Sequence, residues 1–169
     1  MAHDLYKKAG SAERPTPKDF FERVNQVWRF TLDVCATEHN NKVARYFAPP
    51  DHRLKPIMNA PLALDGLAQS WAGEICWMNP PYSRGVLVKW VEKAIHEAVR
   101  GAVVVALLPG DSSVVWHHEL VLLNAAWVEP VRGRIKFEGM DAGAKTGNIL
   151  AHFLPPDYAV ANPKKKRSA

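Results

Sequence analysis

Glu74-Ile75-Cys76-Trp77-Met78-Asn79-Pro80-Pro81-Tyr82 is the stretch that decides the reading of this chain. A short apolar run halted by turn residues is the pattern of a buried strand. The paired prolines cannot continue a central strand, because proline has no N–H to give to a ladder. The spacing therefore predicts a strand over 74–78 and a rigid turn over 79–82. Beyond it, Val88, Trp90, Val91, Ala94, Ile95 and Ala98 recur at helical spacing within residues 86–99. Residues 102–108 are then almost purely apolar between Gly101 and Pro109, as a central strand covered on both faces should be. Strand, helix and strand in that order make a βαβ unit. The fold class is α/β, with a mostly parallel sheet and helices on both faces.

Working outward, Thr16-Pro17-Lys18-Asp19 predicts a helix start, with Thr16 as the cap and Asp19 at the positive helix end. Phe20, Phe21, Val24 and Val27 continue it at helical spacing. Residues 28–36 are rich in strand formers and predict a strand that reaches Asp33 at its end. Residues 37–63 hold Pro49, Pro50, Pro56 and Pro61 and predict a long loop, with one short helix near 42–46. Asp111-Ser112-Ser113 predicts the cap of a helix running to about residue 124. Residues 126–130, 133–137 and 148–154 predict late strands. There is no internal repeat, and one compact domain is expected over 13–158. Residues 1–12 read as a remnant of recombination cloning, and 159–169 as a basic, disordered tail.

Composition narrows the function classes. The chain has 169 residues, 47% of them hydrophobic, so it can bury a core without a disulfide or a structural metal. Its formal net charge of +5 points to an anionic partner, of which nucleic acid is the commonest. The two cysteines, Cys35 and Cys76, make no CxxC spacing, which argues against a zinc site or a disulfide scaffold and fits a reducing, cytoplasmic setting. No apolar stretch is long enough for a membrane span, and no secretory apolar segment opens the chain. Trp116-His117-His118 offers adjacent histidines that point apart on a helix, so no metal is expected.

The turn over 79–82 carries chemistry. A strand end in an open α/β sheet is where such folds bind ligands. An exocyclic base amine is a poor nucleophile, because its lone pair is delocalised into the ring. Two acceptors aimed at that NH2 favour its pyramidal, nucleophilic form. The Asn79 side-chain oxygen and the Pro80 carbonyl can be those acceptors, with Pro81 locking the backbone that aims them. Tyr82 offers a flat face for a base drawn out of the stack. The plainer reading is a Pro-Pro turn that only closes a strand.

The chain resembles, over residues 15 to 155, the phage-type Dam family of DNA N6-adenine methyltransferases. The resemblance rests on Thr16-Pro17 with Phe20-Phe21, on the run from Phe30 to Thr37 with Asn40 and Lys42, and on Asp65-Gly66-Leu67 with Trp71. It continues through Trp77 to Ser83, Lys89-Trp90-Val91 and Val131 to Phe137. It implies a Rossmann-like class I methyltransferase fold and S-adenosylmethionine as cofactor. It implies that Thr16, Pro17 and Phe20 contact the methionine part, and that Asp33, Cys35 and Ala36 lie in the turn that cradles it. Asp65 would stand near the cofactor adenine, and Asn79 would face cofactor and base together. The Gly-rich first turn common among methyltransferases is absent here; Asp33-Val34-Cys35-Ala36-Thr37 stands in its place.

Double-stranded DNA is the implied partner, with Ser83, Arg132, Arg134 and Phe137 on the DNA side. Two arginines flanking Gly133 suit phosphate contact or bidentate reading of guanine; equally, they suit a basic edge that deters aggregation. The same two acceptors would serve N4 of cytosine, although Asn rather than Ser at 79 leans to adenine. Methylation of a protein glutamine and a non-catalytic DNA-binding module are the remaining readings. The family resemblance makes GATC the first guess for the recognition site.

Overall fold

The structure is a computed structural model that describes residues 14–50, 61–140 and 143–158. Its elements are α1 (Lys18–Trp28), β1 (Leu32–Asp33), β2 (Phe47–Ala48), β3 (Ala63–Leu64), β4 (Ile75–Met78), α2 (Val86–Val99), β5 (Val103–Pro109), the π-helical α3 (His117–Leu122), β6 (Trp127–Pro130) and β7 (Asn148–Phe153). Five strands form the main sheet in the order β1-β4-β5-β7-β6. β1, β4 and β5 pair in parallel, and β7 runs antiparallel to both β5 and β6. β6 therefore points the same way as β5, and only β7 is reversed.

β2 and β3 pair in parallel as a second small sheet. A parallel bridge between Asp33 and Tyr46 sets β2 beside β1. The strands then read 3-2-1-4-5-7-6, so the chain grows leftward from β1 and rightward from β4. Between those two strands lies a switch point, where carboxyl-end loops part and leave a crevice.

Each residue of β5 chooses a side. Val104, Ala106 and Leu108 join the core under α2 and α3, with Leu32, Cys76, Met78, Trp90, Val91 and Val121. Val103, Val105 and Leu107 join the other core under α1, with Phe21, Trp28, Trp77 and Phe137. This period-2 alternation puts helices on both faces of a sheet whose central strand β5 is buried, while the edge strand β6 is partly exposed. Among the described residues, no helix is long and apolar enough to cross a membrane.

Four local expectations are corrected. The helix-start hydroxyl of Thr16 does not cap α1: Pro17 is the N-cap, with no side-chain cap bond. The strand expected over 28–36 is only Leu32–Asp33. Trp28 ends α1, and Arg29 takes a left-handed conformation with φ 55°. Asn25 fixes that turn, its Oδ1 accepting from the Phe30 N–H at 2.8 Å. The aromatic residues here fit a buried surface whichever backbone carries them. No helix forms over 42–46, where the chain instead runs into β2. Residues 133–137 keep strand-like alternation, with Ile135 and Phe137 buried and Lys136 exposed, but among the described residues no strand pairs with them. The loop expected over 37–63 is described only in part, since 51–60 lie outside the described residues, as do 1–13 and the tail 159–169.

Candidate active site

A cavity of about 170 Å³ lies at the switch point. Its walls come from the turn after β1 (Asp33 to Thr37, including Cys35 and Ala36), the end of β2, Gly66 after β3, the Asn79-Pro80-Pro81 turn after β4, and Arg14 to Thr16. Of the sequence-predicted cofactor and catalytic groups, Thr16, Asp33, Cys35, Ala36, Asn79, Pro80 and Pro81 are thus gathered by the strand order, although they stand far apart in the chain.

Asn79 is held by its nitrogen. Nδ2 donates to the Arg14 carbonyl at 2.6 Å and to Thr16 Oγ1 at 3.0 Å. A backbone carbonyl can only accept, so the nitrogen must face it and the oxygen must face away. Asn79 Oδ1 is buried and has no hydrogen-bond partner. A buried acceptor left open in this way costs free energy unless a ligand uses it. Pro80, buried behind it, and Pro81 hold the turn rigid before α2. The Ser83 carbonyl accepts from the Val86 and Leu87 N–H groups and so closes the first turn of α2, while the Ser83 hydroxyl is buried without a partner.

Tyr82 is anchored through its hydroxyl, which donates to the Leu107 carbonyl at 3.0 Å and accepts from Asn148 Nδ2 at 3.3 Å. Burial pushes its phenol well above the usual range, so it stays neutral. Phe137, fully buried, meets the Tyr82 ring edge-on with centroids 6.1 Å apart. The Arg14 guanidinium lies over both rings, 5.4 Å from the Tyr82 centroid and 5.9 Å from that of Phe137. Tyr82 and Phe137 are thus packed together under an unforeseen arginine, and Phe137, expected on the DNA side, is 1% exposed in the core and presents no face of its own.

Asp33 ends β1, 3% exposed. Its Oδ2 accepts from the Lys42 N–H at 3.0 Å and its Oδ1 from the Cys35 N–H at 3.4 Å. Burial pushes its carboxyl up to about 6, against the pull of those two N–H donors. Burial, with Asp33 alongside, pushes the Cys35 thiol well above its ordinary value, so it is a neutral wall and not a nucleophile. Asp65 follows β3 at the same sheet edge, with φ 55°, and its Oδ1 is buried without a partner.

Not every expected residue reaches the cavity: Asp65 and Tyr82 are not among its walls. Pro17 and Phe20 line a separate surface groove beside β6, together with Arg132 and Arg134. Both arginines are exposed, on the loop that follows β6. Among the described residues there is no cluster of three or more His, Cys, Asp or Glu side chains fit to hold a metal ion. Arg14 and Asn148 were missed in the sequence. They act across 65 and 66 residues of chain on Asn79 and Tyr82, and no local pattern marks such a pairing.

Residues 7–153 match the model of a family described as DNA N-6-adenine-methyltransferase (Dam). A protein of Haemophilus phage HP1 (strain HP1c1) named DNA N-6-adenine-methyltransferase is 32% identical over 149 residues, covering 86% of this chain and 78% of the phage protein. A family match over most of the chain and a relative of this identity and coverage, joined to an open amide acceptor at the switch point, lead to one conclusion: this chain belongs to the DNA N-6-adenine-methyltransferase family.

Proposed function

We propose that this enzyme transfers the methyl group of S-adenosylmethionine to N6 of adenine in double-stranded DNA, on a Rossmann-like methyltransferase fold. The carrying observation is Asn79: a buried side-chain oxygen with no partner, at the carboxyl end of β4, its amide held by two acceptors behind it. The residues around the cavity fit the cofactor. Asp33 offers a buried carboxylate for a cationic amino-acid head group, and Asp65 an open acceptor for the nucleoside. Bound there, S-adenosylmethionine supplies an electrophilic methyl on a sulfonium centre.

The protein's own part is orientation and electrostatics. Asn79 Oδ1 and the Pro80 carbonyl accept the two N–H bonds of the adenine N6 amine, which turns its lone pair toward the incoming methyl. No general base is needed first, because the methylated nitrogen sheds its proton afterwards. Tyr82 provides the face on which the extruded base stacks, and Phe137 keeps that ring upright. The base enters only when the Arg14 guanidinium leaves the Tyr82 face. Ser83, Arg132 and Arg134 lie on the DNA side. The recognition site is a short one such as GATC.

Asn79→Ala tests the assignment. Turnover should fall about two to three orders of magnitude, as for loss of one preorganised polar group in other active sites. Cofactor affinity should change far less. Digestion of treated plasmid to nucleosides, with mass spectrometry of the methylated base, reads both the activity and the target atom. Near-full activity in Asn79→Ala would refute the catalytic assignment, and methylcytosine as product would refute the target.

A further inference from the structure

We propose that Thr16 is a positioning residue for the methyl transfer, holding the Asn79 amide in the orientation that the acceptor-only Arg14 carbonyl selects. This rests on the reading of Asn79 given above. A carboxamide turned over by half a revolution keeps its shape but exchanges acceptor for donor. With its NH2 facing the base amine, two donors would oppose each other and the nucleophile would be held in its unreactive form. The amide must therefore be held from behind.

Two acceptors hold it. The Arg14 carbonyl takes one N–H of Nδ2 at 2.6 Å, and Thr16 Oγ1 takes the other at 3.0 Å. Thr16 is 1% exposed, so water cannot readily replace its hydroxyl. The same hydroxyl is missing from the place where the sequence would use it. α1 begins at Lys18 with no side-chain cap, although a threonine stands just before its first turn. Pro17 occupies the N-cap position, so the Thr16 hydroxyl stands one residue outside the helix start and faces Asn79 instead. Pro17 supports the arrangement, since its fixed φ of −57° directs the chain into α1 just after Thr16.

The test is a double-mutant cycle on the purified enzyme: Thr16→Val and Thr16→Ser, each alone and with Asn79→Ala. Methyl transfer to duplex DNA gives kcat and KM, calorimetry with S-adenosylhomocysteine gives cofactor-site affinity, and thermal melting reports the fold. Thr16→Val should lower kcat about tenfold, the worth of one hydrogen bond, with KM and affinity within about twofold. Thr16→Ser, which keeps the hydroxyl, should recover kcat to within about threefold. In the Asn79→Ala background, Thr16→Val should cost nothing more, because no amide is left to orient. An unchanged kcat in Thr16→Val overturns the proposal, and so does an equal loss with and without Asn79, which would mark a merely structural role. An active Asn79→Ala overturns the reading of the site itself, and this proposal with it. If valine lowers the melting temperature, Thr16→Cys, similar in size and weak in hydrogen bonding, replaces it with the same expectations.

Discussion

Asp33 has two duties that pull against each other. Its two oxygens tie the turn after β1 by accepting the Cys35 and Lys42 N–H groups, and the same carboxylate faces the cavity. Burial raises its pKa from 3.8 to about 6, so its charge is present at neutral pH and gone in mild acid. A carboxylate that receives a cationic head group should then fail below that value. Affinity for S-adenosylmethionine, measured by calorimetry from pH 8 to pH 5, should be level above about 6.5 and weaken as pH falls through about 6. Asp33→Asn should bind weakly and without that pH dependence; a wild-type affinity that stays level to pH 5 would remove Asp33 from the cofactor site. Stability is a poorer reporter over this range. The raised pKa of Asp33 means that the folded state binds more protons between about 4 and 6, and so gains stability as pH falls. His152, buried and lowered from 6.5 to about 4, does the opposite: its contribution is present above 6.5 and is lost as pH falls toward 4.

At the scale of elements, the cavity exists because three turns approach each other closely. Gly66, following β3, lies so near the β1 turn that a Cβ there would run into the Val34 carbonyl and come within 3.0 Å of the Trp90 ring. The first obstacle is backbone, which cannot swing aside. Gly66→Ala should therefore destabilise the protein by about 1–3 kcal/mol, as overpacking does, and weaken cofactor binding by moving the Asp33 turn. Urea melts together with calorimetry would register both, and a wild-type melt would show that the turns are looser than their contact implies. The elements nearest the switch point were legible in the sequence. The strand ending at Met78, the helix over 86–99 and the apolar strand after it combine a clear period with hard stops at Pro80, Gly101 and Pro109. What could not be read was pairing. Ile135, Lys136 and Phe137 alternate as a strand does, yet among the described residues they join no ladder, and the Ile135 carbonyl accepts from the Ala144 N–H instead. Likewise, Thr16 looks like a cap, but Pro17 takes the N-cap position and the Thr16 hydroxyl accepts from Asn79, 63 residues away. The Asn79-Pro80-Pro81-Tyr82 turn was legible because its pattern is local; its supports, Arg14, Asn148 and the Leu107 carbonyl, are tertiary.

At the scale of the whole molecule, strand direction decides where DNA can lie. β6 ends at Pro130 opposite Ile149, and β5 ends at Pro109 opposite Asn148, so both strands finish at one sheet edge. The Asn79 turn follows β4 at that same edge. Arg132 and Arg134 leave β6 there, exposed, and Lys136 is exposed beside them. A duplex that offers an adenine to Asn79 would pass this loop, whose charges add to a net +5 for the whole chain. Each cation that neutralises a phosphate releases counterions, so replacing it should lessen the slope of log affinity against log salt by about one. Arg132→Ala and Arg134→Ala should each do so. Removing residues 163–169, with Lys164, Lys165, Lys166 and Arg167, should also lessen the slope, while weakening binding about equally on every sequence. The arginines should differ from the tail in their effect on catalysis, because they stand at the edge where the base must enter. If one of them reads a guanine, its loss costs about 1–3 kcal/mol on the cognate duplex and relaxes specificity at one position. Isotherms at several salt concentrations on cognate and scrambled duplexes, paired with methylation rates, separate these cases. An enzyme with both arginines replaced that kept its rate and its salt slope would place the DNA on another face of the sheet edge, beyond β2 and β3.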